Sequence, residues 1–401
     1  IYLKRGGKLK VAGIICEYNP LHNGHIYQLE QTRKTATHIV CVMSGNFVQR
    51  GDLAIADKWS RAKAAILSGA DLVVELPTPW ACSSAEDFAR GGIYILSCLG
   101  VDMLSFGCEN DSVELLTAAA EAVDSLDIGE IIKKEMVGGH TYPSALRKAV
   151  CQVFGEETAE IFDSPNNTLA VEYIRQSRKQ KNSFEYLAIK RNGPDHLDEH
   201  VNHGCIATAG ALRLIENVDM IKNYVPGPMF SELSSLEQCG LYPYKTENAE
   251  RVLLGFLRQM SLKEMSMFIS DDSGLANRLF KAAKTAVSFD ELISKSKTKN
   301  ITMAAVRRAV MSCFLKLPAE MPKALPPYVK VLAMNKKGAE IIKASKCCLP
   351  VISRHSHLSS LSEFGKEVYF LECSCTDLYS LFSKKISGCS REQTSPIFIA
   401  D

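Results

Sequence analysis

Two histidines flanking an asparagine and a glycine, His22-Asn23-Gly24-His25, are the residues of this sequence best placed to do chemistry. They close the string CEYNPLHNGH (16–25), which follows directly on the β-prone run Val11–Cys16, VAGIIC. Proline fixes its own φ and biases its predecessor away from helix, so Asn19-Pro20 predicts a turn and a helix is expected to begin at the histidines. A helix N-terminus presents unpaired N–H groups and the positive end of the helix dipole, and both favour phosphate. Gly24 has no Cβ and lets a ligand approach the backbone closely. Two imidazoles at that point can donate to phosphate oxygens whose charge builds during an in-line displacement at phosphorus. An HxGH string alone is a weak signal, because a pair of histidines can also cap a turn that binds nothing. Its place after the first strand of a βα series is what favours a nucleotide.

The elements that must hold this site alternate along the first half of the chain. Strands are expected at Val11–Cys16, His38–Met43, Leu72–Leu76, Met103–Phe106 and Phe184–Ile189, with helices at about 24–34, 57–68 and 208–215. Continuous apolar strands separated by helices are the pattern of a parallel sheet covered on both faces. Right-handed crossovers then give a Rossmann-like, doubly wound α/β fold. Beyond about residue 220 the character changes to amphipathic helices such as AERVLLGFLRQM and GLANRLFKAAKTAV. The expected division is a nucleotide-binding domain, 9–220, and a mostly helical C-terminal domain, 221–401. Within the latter, a late strand is expected at Glu367–Glu372 and a helix near Asp377–Lys384.

At 401 residues the chain is longer than one typical domain, which agrees with a two-part division. No apolar run approaches the roughly 20 residues that span a bilayer. The basic opening IYLKRGGKLK is not followed by the apolar core of a signal peptide. Most of the cysteines sit in apolar runs, as Cys16, Cys41, Cys98 and Cys205 do, which points to reduced thiols and a cytoplasmic protein. Only Cys347-Cys348, Cys373-x-Cys375 and Cys389 cluster in a way that suggests metal, and without paired CxxC knuckles no metal site is assigned. The net charge of +2 does not by itself indicate nucleic acid. Its distribution is more telling. Residues 273–310 hold eight Lys or Arg against two acids, and residues 321–346 hold six lysines against one glutamate. That asymmetry is a candidate phosphate-tracking face, the bland alternative being a solvated surface. Phe289 and Tyr328 are the aromatics nearby.

The HNGH string resembles the HIGH motif of the nucleotidyltransferase superfamily, whose members act at the α-phosphate of ATP and release pyrophosphate. The longer GIICEYNPLHNGH is similar to the signature of the tRNA(Met) cytidine acetate ligases, with Leu21 where that family usually has Phe. Further likeness follows in order: SGNFVQRGDLAIADKWSRAK (44–63), DLVVELP (71–77), LSFGCE (104–109), SPNNT (164–168), RNG (191–193), PVISR (350–354) and TDLYSL (376–381). The resemblance runs from about Lys10 to about Leu381, and a family-like start falls near Leu9, so the opening residues read as an extension.

Carried over by position, the resemblance implies an ATP-contacting stretch of Ile15, Cys16, Glu17, Tyr18, Asn19, Pro20, Leu21, His22, Asn23, Gly24, His25, Ile26, Tyr27 and Gln28, with His22 and His25 catalytic. It adds Gly107, Asn166 or Asn167, and Arg191. Those residue types suit the task, since a glycine ending a strand lies where open α/β sheets bind ligands, an amide reads adenine or ribose, and a guanidinium matches phosphate. Taken singly they are better explained as a turn glycine, a helix cap and a surface ion pair, and only together with His22 and His25 does the nucleotide reading prevail. The family's second phosphate motif corresponds to IATAGALR (206–213), which keeps Thr208 and Arg213 but has Gly210 where Thr is usual. Lys58 and Arg61 lie three apart on one helix face, either reaching triphosphate, acetate or RNA or facing solvent, and Gln49 and Arg50 are open in the same way.

The activity so implied is a ligase. Acetate would be activated by ATP as acetyl-adenylate, and N4 of the wobble cytidine of elongator tRNA(Met) would take the acetyl group, releasing AMP. Mg²⁺ is expected with the triphosphate. The expected partners are tRNA and acetate, with no membrane and no stable protein partner. A small-molecule adenylyltransferase shares the HxGH site but has no need of the long basic second half. A nucleotide-sensing RNA-binding module with an idle site is disfavoured by the intact His22, Gly24 and His25.

Overall fold

The computed structural model describes residues 9–191, 208–269, 274–345 and 347–401. Asn192 and Gly193 of the RNG match, Ile206 and Ala207, Cys205, Ser273, Lys346 and the opening residues fall outside this set. Its frame is an eight-stranded sheet built from β1 (Val11–Cys16), β2 (His38–Ser44), β5 (Leu72–Leu76), β6 (Met103–Cys108), β7 (Glu185–Lys190), β8 (Val329–Met334), β9 (Val351–Ile352) and β10 (Phe398–Ile399). A hairpin of β3 (Phe47–Val48) and β4 (Asp52–Leu53) forms a separate two-stranded sheet. The order in the main sheet is β10-β8-β5-β2-β1-β6-β7, with β9 beside β8. The run β5-β2-β1-β6-β7 is parallel throughout. From β1 the chain moves outward through β2 to β5 and then returns to the other side of β1 for β6 and β7. The carboxyl ends of β1 and β6 therefore border the point where the order reverses, and that is where a ligand crevice opens in such sheets.

The strands form because their residues are buried on both faces. Ile14, Ile39, Cys41, Met43 and Val73 point into one core, while Val11, Ile15, Val40, Val42, Leu72 and Val74 point into the other. Each such side chain contributes about 1.5–3 kcal/mol by leaving water. Helices α1 (Asn23–Thr35) and α2 (Lys58–Leu67) stand where the pattern places them, and helix Ala209–Leu214 follows Thr208.

The second half departs from expectation in three ways. The sheet does not stop at residue 220: β8 joins the edge antiparallel to β5 and carries β9 and β10 parallel to itself. The helical half also shares its core with the first half, since Phe47, Leu53 and Cys82 pack among Leu253, Leu279 and Phe314. The segment expected as a strand at Glu367–Glu372 lies inside a helix, Glu363–Tyr379, and the helix expected near Asp377–Lys384 ends early and passes into a 3₁₀ turn, Ser380–Phe382. The residues of VYFL favour strands locally. However, the buried positions Gly365, Val368, Tyr369, Glu372, Cys373, Thr376 and Tyr379 recur at helical spacing, and Ser362 caps the start. Packing of that face overrides the local preference.

Lys58 is neither at a ligand nor in solvent. It belongs to a buried ion cluster in which its Nζ lies 2.5 Å from Glu75 and 2.8 Å from Glu392. Lys330 contacts Glu392 and lies 3.2 Å from Glu75. Glu372 completes the cluster by accepting from Thr78 N at 2.5 Å and Thr78 Oγ1 at 3.0 Å. Burial alone would raise the Glu75 carboxyl, but Lys330 and Lys58 outweigh it and hold the group down at about 2. Burial and the charge of Glu75 instead push Glu372 up to about 7. A carboxyl whose pKa is raised on folding contributes stability below its unfolded pKa and loses it as pH rises through the folded one. Glu372→Gln, neutral at every pH, is thus expected to match the parent near pH 5 and to exceed it by on the order of 2 kcal/mol once pH passes about 7. Urea titrations across that range test this, and a constant difference between the two proteins would contradict it.

Candidate nucleotide site

The turn after β1 is held from several sides. Asn19 Oδ1 accepts from Ile55 N at 2.8 Å, its Nδ2 donates to Leu53 O at 3.1 Å, and Arg213 donates to its carbonyl at 3.1 Å. Tyr18 takes a positive φ of 47° at the bend, and the Asn19–Pro20 bond is cis. Arg61 supports the turn from below. Fully buried, it donates to the carbonyls of Ala56, Glu17, Ser44 and Gly45, so it braces the exits of β1 and β2 and does not face a ligand or solvent.

Helix α1 begins immediately afterwards with His22 as its N-cap. Gly24 N donates to His22 Nδ1 at 3.0 Å, and His22 N donates to His25 Nδ1 at 3.2 Å. The two rings stack with centroids 3.7 Å apart, and Tyr18 meets His25 edge-on at 5.0 Å. Both Nδ1 atoms act as acceptors toward the backbone, so a neutral ring carries its proton on Nε2. Both rings line a cavity at the amino end of a helix whose first turn has no acidic residue. This arrangement suits the binding of a phosphate group and the stabilisation of charge developing on it.

A cavity of about 850 Å³ opens here, and the structure brings together in its wall Ile15, Cys16, Glu17, Tyr18, Asn19, His22, His25, Gln28, Gly107, Asn166 and Arg191. The other expected residues do not line it. Leu21 is buried in a core beside the sheet, with Ile26 packed against it. Pro20 is buried, Tyr27 faces outward, Gly24 acts through its amide, and Asn23 donates to Asn223 O at 2.9 Å. Asn167 is structural, accepting from Glu109 N and Asn110 N at 2.9 and 3.1 Å and so fixing the loop after β6. Its neighbour Asn166 reaches the cavity and donates to Glu109 Oε1 at 2.5 Å. A Cβ on Gly107 would stand 3.5 Å from Arg191 Cγ and 3.9 Å from Gln28 Oε1, so this glycine lies where those two side chains converge. Burial draws the Arg191 guanidinium down from its ordinary value, and Glu109 partly offsets this.

The model of the HIGH Nucleotidyl Transferase family matches residues 9–394. The tRNA(Met) cytidine acetate ligase of Acetivibrio thermocellus is 33% identical over 94% of this chain and 96% of its own. This chain belongs to that ligase family, within the HIGH nucleotidyl transferases. The ligase of Caldicellulosiruptor saccharolyticus is 35% identical over 84% of the chain and 85% of its own. A Thermotoga maritima TmcAL crystal structure bound with alpha-thio ATP superposes with a TM-score of 0.89 at 27% identity, covering 98% of this chain and 100% of that one. The apo form gives 0.92, again at 27% identity, over 98% and 99% of the two chains.

The segment expected as a second phosphate motif reaches the cavity. Ala209, Gly210 and Arg213 line the cavity, and Thr208 caps their helix by accepting from Ala211 N at 3.1 Å. A further stretch of wall was not legible beforehand, since Asn300, Thr302, Ala305 and Arg308 come from the helical half. Gly51, with φ +71°, brings the two halves together: a Cβ there would press on the backbone of Arg307 and Arg308, 2.7 Å from Arg308 Cα. Gly51→Ala meets both a disfavoured φ and that backbone. We expect it to lower stability by roughly 2–4 kcal/mol and to weaken catalysis as the wall shifts. Calorimetry and turnover measure both, and a melting temperature equal to the parent's would refute the close-approach argument. Phe289 and Tyr328, the aromatics of the basic stretches, are buried.

Proposed function

We propose that this chain activates acetate with ATP and transfers the acetyl group to N4 of the wobble cytidine of elongator tRNA(Met). The observation that carries this reading is the pair of imidazoles oriented through Nδ1 at the start of α1, in a cavity with room for a nucleotide, in a chain of this ligase family. In the first step a carboxylate oxygen of acetate forms a bond to the α-phosphorus and pyrophosphate departs. In the second, the cytidine amine attacks the acyl carbon, loses a proton and releases AMP. His22 and His25 would stabilise charge on the phosphate oxygens as the first bond exchange proceeds. Gln28, Gly107, Asn166 and Arg191 would hold the rest of the nucleotide. No group of three or more His, Cys, Asp or Glu among the described residues is arranged to hold a metal ion. Mg²⁺ would be carried on the triphosphate oxygens, where it neutralises charge. No helix of the described residues is long and apolar enough to cross a membrane, and a tRNA substrate carries with it a cytoplasmic location.

Labelled ATP and acetate, incubated with and without bulk tRNA, test the reading through pyrophosphate, AMP and acetylated cytidine. tRNA-dependent release of AMP with acetylation is expected. A stable AMP–metabolite product would point instead to a small-molecule adenylyltransferase, and absence of turnover would end the enzymatic reading.

A further inference from the structure

Two cations in the cavity wall, Arg308 and Arg50, lie outside the residues assigned to the nucleotide. Arg308, on helix Met303–Leu315, is half-buried in the wall and donates to Gln49 O at 3.4 Å. Among the described residues no carboxylate lies within ion-pair distance of it. Asp87, whose field reaches it, is already paired with Arg90 at 2.7 Å, and the adjacent Arg307 is paired with Asp52 at 3.5 Å. Burial draws the Arg308 guanidinium below its ordinary value, as expected for a cation that has lost water without gaining a counter-charge. Arg50, next to Gln49, is exposed on the same wall and likewise has no acidic partner among the described residues. Asn300 also lines the wall, and Lys297 and Lys299, just before it in the chain, are exposed and without an ion pair among the described residues.

Such a set suits a polyanion. Acetate brings one charge and must react at the α-phosphorus beside the histidines, so it has no use for these further cations. A polynucleotide brings one charge per residue and must place a single base inside the cavity while its backbone stays at the mouth. We infer that Arg308, with Arg50 beside it, grips the phosphodiester next to the acceptor nucleoside as that nucleoside enters the cavity. This assignment rests on the proposed acetylation of tRNA. The fixed fork of Arg308 positions the backbone without reading sequence.

Binding of bulk tRNA by Arg308→Ala, Arg308→Lys and Arg50→Ala, measured over a range of salt and beside steady-state acetylation, tests the assignment. Arg308→Ala is expected to weaken tRNA binding and raise the KM for tRNA roughly tenfold, with the salt slope reduced by about one. Arg308→Lys, which keeps the charge, is expected to recover most of the slope but not all of the affinity. Arg50→Ala, a surface change that leaves the fold intact, is expected to show a smaller loss in the same direction. Unaltered tRNA affinity and slope in folded Arg308→Ala, or in Arg50→Ala if the former does not fold, would overturn the proposal. So would a rise in the KM for acetate with tRNA binding unmoved. A parent protein that makes no acetylated cytidine defeats the proposed function instead. A parent that acetylates while the variants bind tRNA as it does defeats only the role of Arg308.

Discussion

His22→Ala should slow acetate-dependent pyrophosphate release by on the order of a hundredfold, and His25→Ala by a similar factor, as loss of one donor to a developing charge usually does. The geometry makes the two changes separable from damage to the fold. His22 would do two jobs, since its Nδ1 caps α1 through Gly24 N while its ring also lines the cavity. Alanine removes both, at a cost of about 1 kcal/mol for the lost cap. Asparagine is a strong N-cap and should return that stability without returning the rate. The rings also stack at 3.7 Å and share the capping of one helix turn, so they act as a unit. The double alanine variant is expected to lose much less than the product of the single losses. ATP–pyrophosphate exchange with acetate present is the measurement. A His22→Asn enzyme that exchanges at the parental rate would show that this ring does not serve the phosphate.

Much of this site was legible because the local chemistry and the fold agree. The run VAGIIC becomes β1, Asn19-Pro20 makes the bend, and the histidines open α1, each as local rules require. What stayed hidden depends on burial and on distance along the chain. Nothing in the spacing of Lys58 and Arg61 reveals that both are buried, one among carboxylates and the other among carbonyls. Asn166 and Asn167 are adjacent and identical in type, yet only the first reaches the cavity while the second holds the loop after β6. Strand β8 lies more than two hundred residues from its partner β5, and no periodicity announces so distant a pairing. The wall from Asn300 to Arg308 is hidden for the same reason. Gly51 was its one local trace, a glycine whose need becomes visible only when the helix it meets is in place.

Lys58→Met should cost about 3–5 kcal/mol, because it leaves buried carboxylates short of a counter-charge. Lys58 is inaccessible to solvent and lies within 4 Å of Glu75, Glu372 and Glu392, which come from β5, helix Glu363–Tyr379 and helix Arg391–Thr394. Lys330 alone would then face Glu75 and Glu392, and at neutral pH one of the two must protonate or admit water. Methionine fills a similar volume, so a cavity contributes little and the loss is mainly electrostatic. The sign of that argument can be checked directly. Adding Glu75→Gln to Lys58→Met removes one uncompensated charge and is expected to restore part of the stability, whereas Glu75→Gln alone should destabilise. The damage should reach the nucleotide site as well. Arg61, less than one turn further along α2, holds the carbonyls of Glu17, Ser44 and Gly45, so a loosened α2 releases the end of β1 just before the histidines. Urea unfolding of the two single variants and the double gives the coupling, and nucleotide affinity gives the transmission. Additive losses, or a Lys58→Met protein within about 1 kcal/mol of the parent, would mean that the cluster is not what ties the C-terminal helices to the sheet.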